Sequence, residues 1–235
     1  VTGLTGLLCA WDLDGTLVDS AGDICLHANR ALAEAGLPSV PGERVLPHVG
    51  HGAAELVRGV LGELGVPEEE FPRVLAIFQS HYAREPVVMS RLFPGAREAV
   101  LRLRDHGIPS VVVTNKPHPI ATQVALKLGL EDVLAALEGG RPGVPLKPHR
   151  ALLDRAVAAA GREPGPVVVV GDSTVDADLA TTVGCPFLGV AHGLDQGRGL
   201  LARGVELLGS LAEVAERVAA LRGRLDGEGA PTRAG

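Results

Sequence analysis

Apolar and polar positions follow two rhythms along this chain, and the rhythms divide it. Leu7 to Asp12 is a short apolar run ending in an acid, the pattern of a buried strand that stops at a polar loop. The period then lengthens to that of a helix, with Asp19 or Ser20 as its cap. It runs to about Gly36, where Pro38, Pro41 and Gly42 break the chain. Ala53, Leu56, Val57, Val60, Leu61 and Leu64 share one helical face, ended by Gly65. Another helix starts near Pro67, with Glu68, Glu69 and Glu70 in the first turn, where the helix dipole favours acids. Phe71, Val74, Leu75, Phe78 and Tyr82 continue its apolar face. No strand pattern interrupts residues 21–85, so this stretch reads as an all-helical insertion.

After Phe93-Pro94-Gly95 the texture changes. A helix to about His106 leads into a buried strand, Ile108–Thr114, and a helix to Leu128 follows. Leu134–Leu137 reads as a weak strand and Pro148–Ala160 as a helix. Val167–Val170 is four valines in a row, as expected of a parallel strand buried on both faces. Asp176–Val183 is a short helix, Phe187–Val190 a fifth strand, and Ser210–Leu221 a last helix opened by a Ser210/Glu213 capping box. Alternating strands and helices predict an α/β fold, a doubly wound parallel sheet with the small helical domain inserted. The expected bounds are 1–20 and 92–225 for the core and 21–91 for the insertion. The Gly-, Pro- and Ala-rich tail, 226–235, reads as disordered.

Composition narrows the function. Hydrophobic residues make up 46% of the chain and aromatics only 3%, so the core must be built from Leu, Val, Ile and Ala. A formal net charge of -6 argues against a phosphate-neutralising nucleic-acid surface, and no polybasic membrane patch or spanning run is present. Cys9, Cys25 and Cys185 have no C-x-x-C spacing and fit buried thiols in a reducing compartment. With no basic leader ahead of Arg30, the expectation is a cytoplasmic protein, either a monomer or a homodimer.

The candidate chemistry gathers where strands end, which is where a doubly wound sheet binds ligands. Asp12-Leu13-Asp14-Gly15-Thr16 follows the first strand, and its two carboxylates can share a hard cation. Gly15 allows a tight turn and close backbone approach. Thr114-Asn115-Lys116 offers a hydroxyl and backbone amides to phosphate oxygens. Lys147 could neutralise a transferring phosphoryl group. Gly171-Asp172-Ser173-Thr174-Val175-Asp176 places a second acid at a strand end, with Asp176 behind it. Only three of the 22 basic residues are lysines, and Lys116 and Lys147 both fall in these motifs.

In order and spacing the four motifs resemble the haloacid dehalogenase-like (HAD) superfamily, most closely its phosphoglycolate phosphatase-like branch. Val49-Gly50-His51-Gly52 and Phe93-Pro94-Gly95 add to the likeness, which spans about Leu7 to Leu221. The resemblance implies a Mg²⁺-dependent phosphatase acting on a small phosphorylated metabolite through an aspartyl-phosphate. Asp12 would be the nucleophile and Asp14 the general acid and base. Mg²⁺ would lie on the Asp12 carboxylate, the Asp14 carbonyl and Asp172, with Asp176 as an auxiliary acid. Thr114, the Asn115 backbone and Lys147 would hold phosphoryl oxygens, with Gly15 beside them. The helical insertion would be a cap hinged near Asp19–Ser20 and Arg91–Phe93, with Gly50 and His51 facing substrate. Trp11, where that branch commonly has Phe, and His149-Arg150 after Pro148 depart from its usual look.

Other chemistries within the superfamily are weighed by single residues. A phosphonoacetaldehyde hydrolase-like enzyme needs a cap lysine, and residues 21–92 contain none. A dehalogenase-like enzyme is not expected to keep Asp14 beside a metal site. A sugar phosphomutase stays open as an alternative, because survival of its intermediate depends on cap and substrate fit. A non-catalytic regulatory relative should have lost Asp12, Asp14, Lys147 or Asp172, and all four are present.

Overall fold

A computed structural model describes residues 6–228. The valine-rich runs become the central strands of one parallel sheet. Its strands are β1 (Leu8–Trp11), β4 (Ser110–Pro117), β5 (Ala136–Gly140), β6 (Val167–Gly171), β7 (Phe187–Val190) and β8 (Leu207–Leu208), in the spatial order β5-β4-β1-β6-β7-β8. A second, antiparallel pair joins β2 (Val18–Asp19) to β3 (Arg91–Leu92), with Val18 opposite Leu92.

Strand periodicity sends alternate side chains to opposite faces. Cys9, Trp11, Val112, Val168 and Val170 enter one apolar core, and Leu8, Ala10, Val111, Val113 and Val169 the other. The first core is covered by α5 (Ala96–Asp105), α6 (His118–Lys127) and α10 (Leu211–Glu228), the second by α7 (Ala151–Ala159) and α8 (Thr174–Val183). A small helix, α9 (Arg198–Ala202), precedes the edge strand β8. Between β2 and β3 lie only helices: α1 (Ala21–Glu34), α2 (Gly42–Val45), α3 (Ala53–Glu63) and α4 (Phe71–Arg84), with single 3₁₀ turns at Leu46–His48 and Glu68–Glu70. Their apolar faces continue the first core through Ile24, Leu56, Val60, Val74 and Phe78.

Several elements differ from the sequence expectation, each for a local reason. The second long strand runs through Thr114-Asn115-Lys116 to Pro117, because β5 stays paired to it across a register shift between Val113 and Pro117. The weak strand lies further on, at Ala136–Gly140. A Cβ on Gly139 would stand 2.6 Å from the Lys116 carbonyl oxygen, so the glycines that hide this strand from its sequence pattern are what let it lie so close. Helix α7 starts three residues after Pro148, behind a turn closed by the His149 amide on the Leu146 carbonyl. Ser20 occupies the cap position of α1, but its hydroxyl makes no capping bond, and Asp19 pairs instead with Arg91 at 3.1 Å. Helix α10 continues to Glu228, past the expected start of the tail; the rest of the expected disordered tail lies outside the described residues. Among the described residues no helix is long and apolar enough to cross a membrane.

Candidate functional site

Strand order reverses at β1, with β4 on one side and β6 on the other, and the candidate side chains collect at the carboxyl ends of these three strands. Asp12 follows β1, and its amide still bonds the Val170 carbonyl of β6 at 2.9 Å. Asp172 follows β6. Its Oδ1 accepts from the Thr16 hydroxyl at 3.1 Å and its Oδ2 from the Leu194 amide at 3.0 Å. Both flanks of this carboxylate are glycine. A Cβ on Gly15 or Gly193 would lie 2.2 or 2.3 Å from Asp172, so no larger residue fits, and Gly15 sits at φ +86°. The Gly15 amide donates to Val18, which closes the loop on itself.

Lys147 arrives from the loop between β5 and α7. Its buried Nζ donates to Asp12 and to Asp176, each at 2.7 Å. Asp176 serves twice, because its other oxygen accepts from the Ser173 amide and hydroxyl at the start of α8. Asn115 works through its side chain: Oδ1 accepts from the Lys147 amide at 2.7 Å, and Nδ2 donates to the carbonyls of Lys147 and Gly50. One amide group thus joins the β4 strand, the Lys147 loop and the glycine-rich loop of the helical layer. Thr114 is buried beside it, its hydroxyl accepting from the Lys116 amide.

Carboxylate oxygens of Asp12, Asp172 and Asp176 lie within 4.8 Å of one another. Lys147 can neutralise only one of these three carboxylates, so their full ionisation would leave buried negative charge in excess. Burial pushes Asp12 up to about 7, with Asp176 and Asp14 adding to the push and Lys147 opposing it. Asp172 is pushed well above its ordinary value, again first by burial and then by Asp12 and Asp176. An all-oxygen donor set with uncompensated charge fits a small hard cation such as Mg²⁺.

The cluster forms the floor of a cavity of about 820 Å³ beneath the helical layer. Asp12, Asp14, Thr114 and Asp172 line it from the sheet side, and Gly50 and the exposed His51 line it from the helical layer. Gly15, Lys147 and Asp176 stand behind this surface. The Asp14 carboxylate turns away from the acid cluster to Lys116, 3.0 Å off.

The haloacid dehalogenase-like hydrolase family matches residues 7–184. The chain belongs to that family. Among curated relatives of this haloacid dehalogenase-like hydrolase, it is 36% identical to a phosphoglycolate phosphatase of Haemophilus influenzae over 79% of this chain and 86% of that protein. It is 34% identical to a phosphoglycolate phosphatase of Yersinia pestis over 81% and 83%. In three dimensions it resembles the crystal structure of a predicted phosphoglycolate phosphatase from Haemophilus somnus, with a TM-score of 0.77 and 27% identity over 89% of this chain and 96% of that one. A Lactobacillus delbrueckii structure at TM-score 0.80 and 22% identity, covering 92% and 99%, shares the fold.

Some contacts around the site of this hydrolase escape a sequence reading. Lys116 stood out as one of three lysines, without an assigned partner. Tyr82 fitted the apolar stripe of α4, and nothing in that stripe marked its hydroxyl. Asp23, fully buried in the first turn of α1, accepts from the amides of Val88, Met89 and Ser90 and from the Ser90 hydroxyl, and so ties the two ends of the helical insertion together.

Proposed function

We propose that this hydrolase is a Mg²⁺-dependent phosphatase that cleaves a small phosphate monoester, phosphoglycolate or a close analogue, through a phospho-aspartate. The observation that carries the reading is the Asp12–Lys147–Asp176 bridge beside Asp172 at the floor of that cavity. An anionic nucleophile, a cation for the phosphoryl oxygens and excess carboxylate are what in-line phosphoryl transfer needs in one place. The names of the curated relatives supply the substrate.

Asp12 attacks phosphorus and takes the phosphoryl group, and the alcohol leaves with a proton from Asp14. Asp14 then accepts a proton from the water that hydrolyses the phospho-aspartate. The Lys147 ammonium and the Thr114 hydroxyl bind the phosphoryl oxygens, and Asp176 fixes the lysine. Asn115 supports them by holding the Lys147 loop in register with β4. Asp12, the Asp14 carbonyl and Asp172 would hold Mg²⁺, which when bound would supply charge neutralisation for the phosphoryl group. Residues 21–91 act as a cap that excludes bulk water, with 1–20 and 92–225 as the catalytic core and Gly50 and His51 facing the substrate. Three free cysteines suit the reducing cytoplasm.

The test is phosphate release from a panel of small monoesters headed by 2-phosphoglycolate, with Mg²⁺ and with EDTA. Turnover that EDTA silences and Asp12→Asn abolishes is the expected result. A folded protein that releases phosphate from none of the panel in Mg²⁺ overturns the reading.

A further inference from the structure

Asp14 sits in a contact that the phosphatase reading does not use. Lys116 Nζ lies 3.0 and 3.1 Å from the two Asp14 oxygens and 2.6 Å from the Tyr82 hydroxyl. An ammonium has three protons, and these three acceptors take all of them. Lys116 is 7% exposed and Tyr82 3%. The three residues come from separate parts of the fold: Asp14 from the loop after β1, Lys116 from β4 and Tyr82 from the last turn of α4 in the helical layer.

Tyr82 is itself held on several sides. The His27 ring stacks on it at a centroid distance of 4.5 Å, and Phe78 meets it edge-on at 5.7 Å. His27 is fixed in turn against the Glu85 carbonyl at 3.0 Å. The hydroxyl therefore moves only with the helical layer, and its bond to Lys116 exists only while that layer is docked on the sheet.

We infer that Lys116 is the positioning residue of Asp14, and that Tyr82 carries the docking of the helical layer to it. The inference rests on the phosphatase reading. In the first step an Asp12 oxygen bonds to phosphorus, the ester P–O bond breaks, and the Asp14 proton passes to the departing alkoxide. Asp14 is left as a carboxylate facing the Lys116 ammonium. The attraction grows as the proton leaves, so Lys116 favours the transition state over the bound ester. Because all three ammonium protons are engaged, the lysine holds the acid and has none left for a carboxylate on the substrate.

The leaving group provides the test. An alkoxide needs the proton as it departs; p-nitrophenolate does not. Lys116→Met should lower kcat/KM about 10²-fold for ethyl phosphate and for 2-phosphoglycolate, the usual contribution of a placed acid, and less than about threefold for p-nitrophenyl phosphate. Tyr82→Phe, which keeps the ring, should show the same preference for hurting alkyl esters, with the loss in kcat. Equal losses on alkyl and aryl esters overturn the inference in favour of a structural lysine. A rise in KM for 2-phosphoglycolate with ethyl phosphate unchanged overturns it in favour of a substrate-carboxylate site.

Tyr82 is the only tyrosine of the chain, which gives a readout independent of turnover. With 3-fluorotyrosine in its place, the single ¹⁹F resonance should shift in Lys116→Met and broaden or shift in Asp14→Asn. An unchanged resonance in Lys116→Met means that the contact does not form, and the inference falls. If the wild type turns over no ester, the phosphatase reading fails and the positioning role falls with it. A ¹⁹F shift in that protein would then report a structural latch alone.

Discussion

Side chains that the sequence marks as acids behave differently once buried together. In the metal-free protein Asp12 is raised to about 7, first by burial, and Asp172 moves the same way. A raised carboxylate keeps its proton in the folded state where the unfolded chain has lost it. Unfolding between about pH 4 and pH 7 therefore releases protons, and stability falls as pH rises through that window. A cation on the ionised cluster reverses the effect, because it binds the folded state alone. Mg²⁺ should thus raise the Tm at pH 7.5 and leave it nearly unchanged at pH 5. At a hundredfold excess over its Kd the gain is about 2.7 kcal/mol, or roughly 5–10 °C for a chain of this size. Differential scanning fluorimetry with Mg²⁺ and with EDTA at the two pH values measures it. Equal shifts at both would mean that the cluster is not the site of the cation.

Among the elements, those with their own periodicity were legible and those made by their neighbours were not. β1, β4, β6 and β7 announce themselves as apolar runs. β8 has two residues and exists because Gly189 and Val190 of β7 pair with it. β5 carries two glycines, which a strand pattern penalises and which close packing on Lys116 and His118 requires. The same division runs through the site. Asp12, Asp14 and Asp172 were readable as acids leaving strands, and Lys147 as a rare lysine before a helix. The Lys116–Tyr82 contact spans 34 residues across the helical insertion and leaves no local trace. Asp23 is another such residue. Burial alone pushes its carboxyl up, but the bonds from Ser90, Val88 and Met89 outweigh that and hold it below the usual range. Its contribution to stability is present above the ordinary carboxylate pKa and is lost as pH falls through the lowered one. Asp23→Ala strips acceptors from three amides at the return of the insertion, and should cost about 3 kcal/mol. Urea unfolding at neutral pH measures the loss; a cost under about 0.5 kcal/mol would show that those amides find water without strain.

For the molecule as a whole, the question is how firmly the helical layer is seated on the sheet, and the chain carries one reporter on each side. Trp11, its only tryptophan, is fully buried in β1 with its ring nitrogen donating to Ser110; Tyr82, its only tyrosine, hangs from the helical layer. Burial pushes the Tyr82 phenol up to about 12, with Asp14 and Asp23 adding and Lys116 opposing. The Lys116 ammonium is held above its ordinary value: burial pulls it down, but Asp14 and Tyr82 more than compensate. Both groups keep protons that the unfolded chain gives up above about pH 10. Unfolding in that range releases protons, so the linkage lowers stability as pH rises from about 10 to 12. Ionising Tyr82 in place would set a phenolate in an apolar wall, with the Asp14 and Asp23 carboxylates nearby. Phenolate absorbance should therefore stay flat through pH 10 and appear late, together with the change in Trp11 fluorescence, as one cooperative transition. A smooth phenolate titration centred near 10, with Trp11 undisturbed, would mean that Tyr82 is open to water and that the helical layer stands off the sheet. The latch at Asp14 would then have to form anew each time substrate binds.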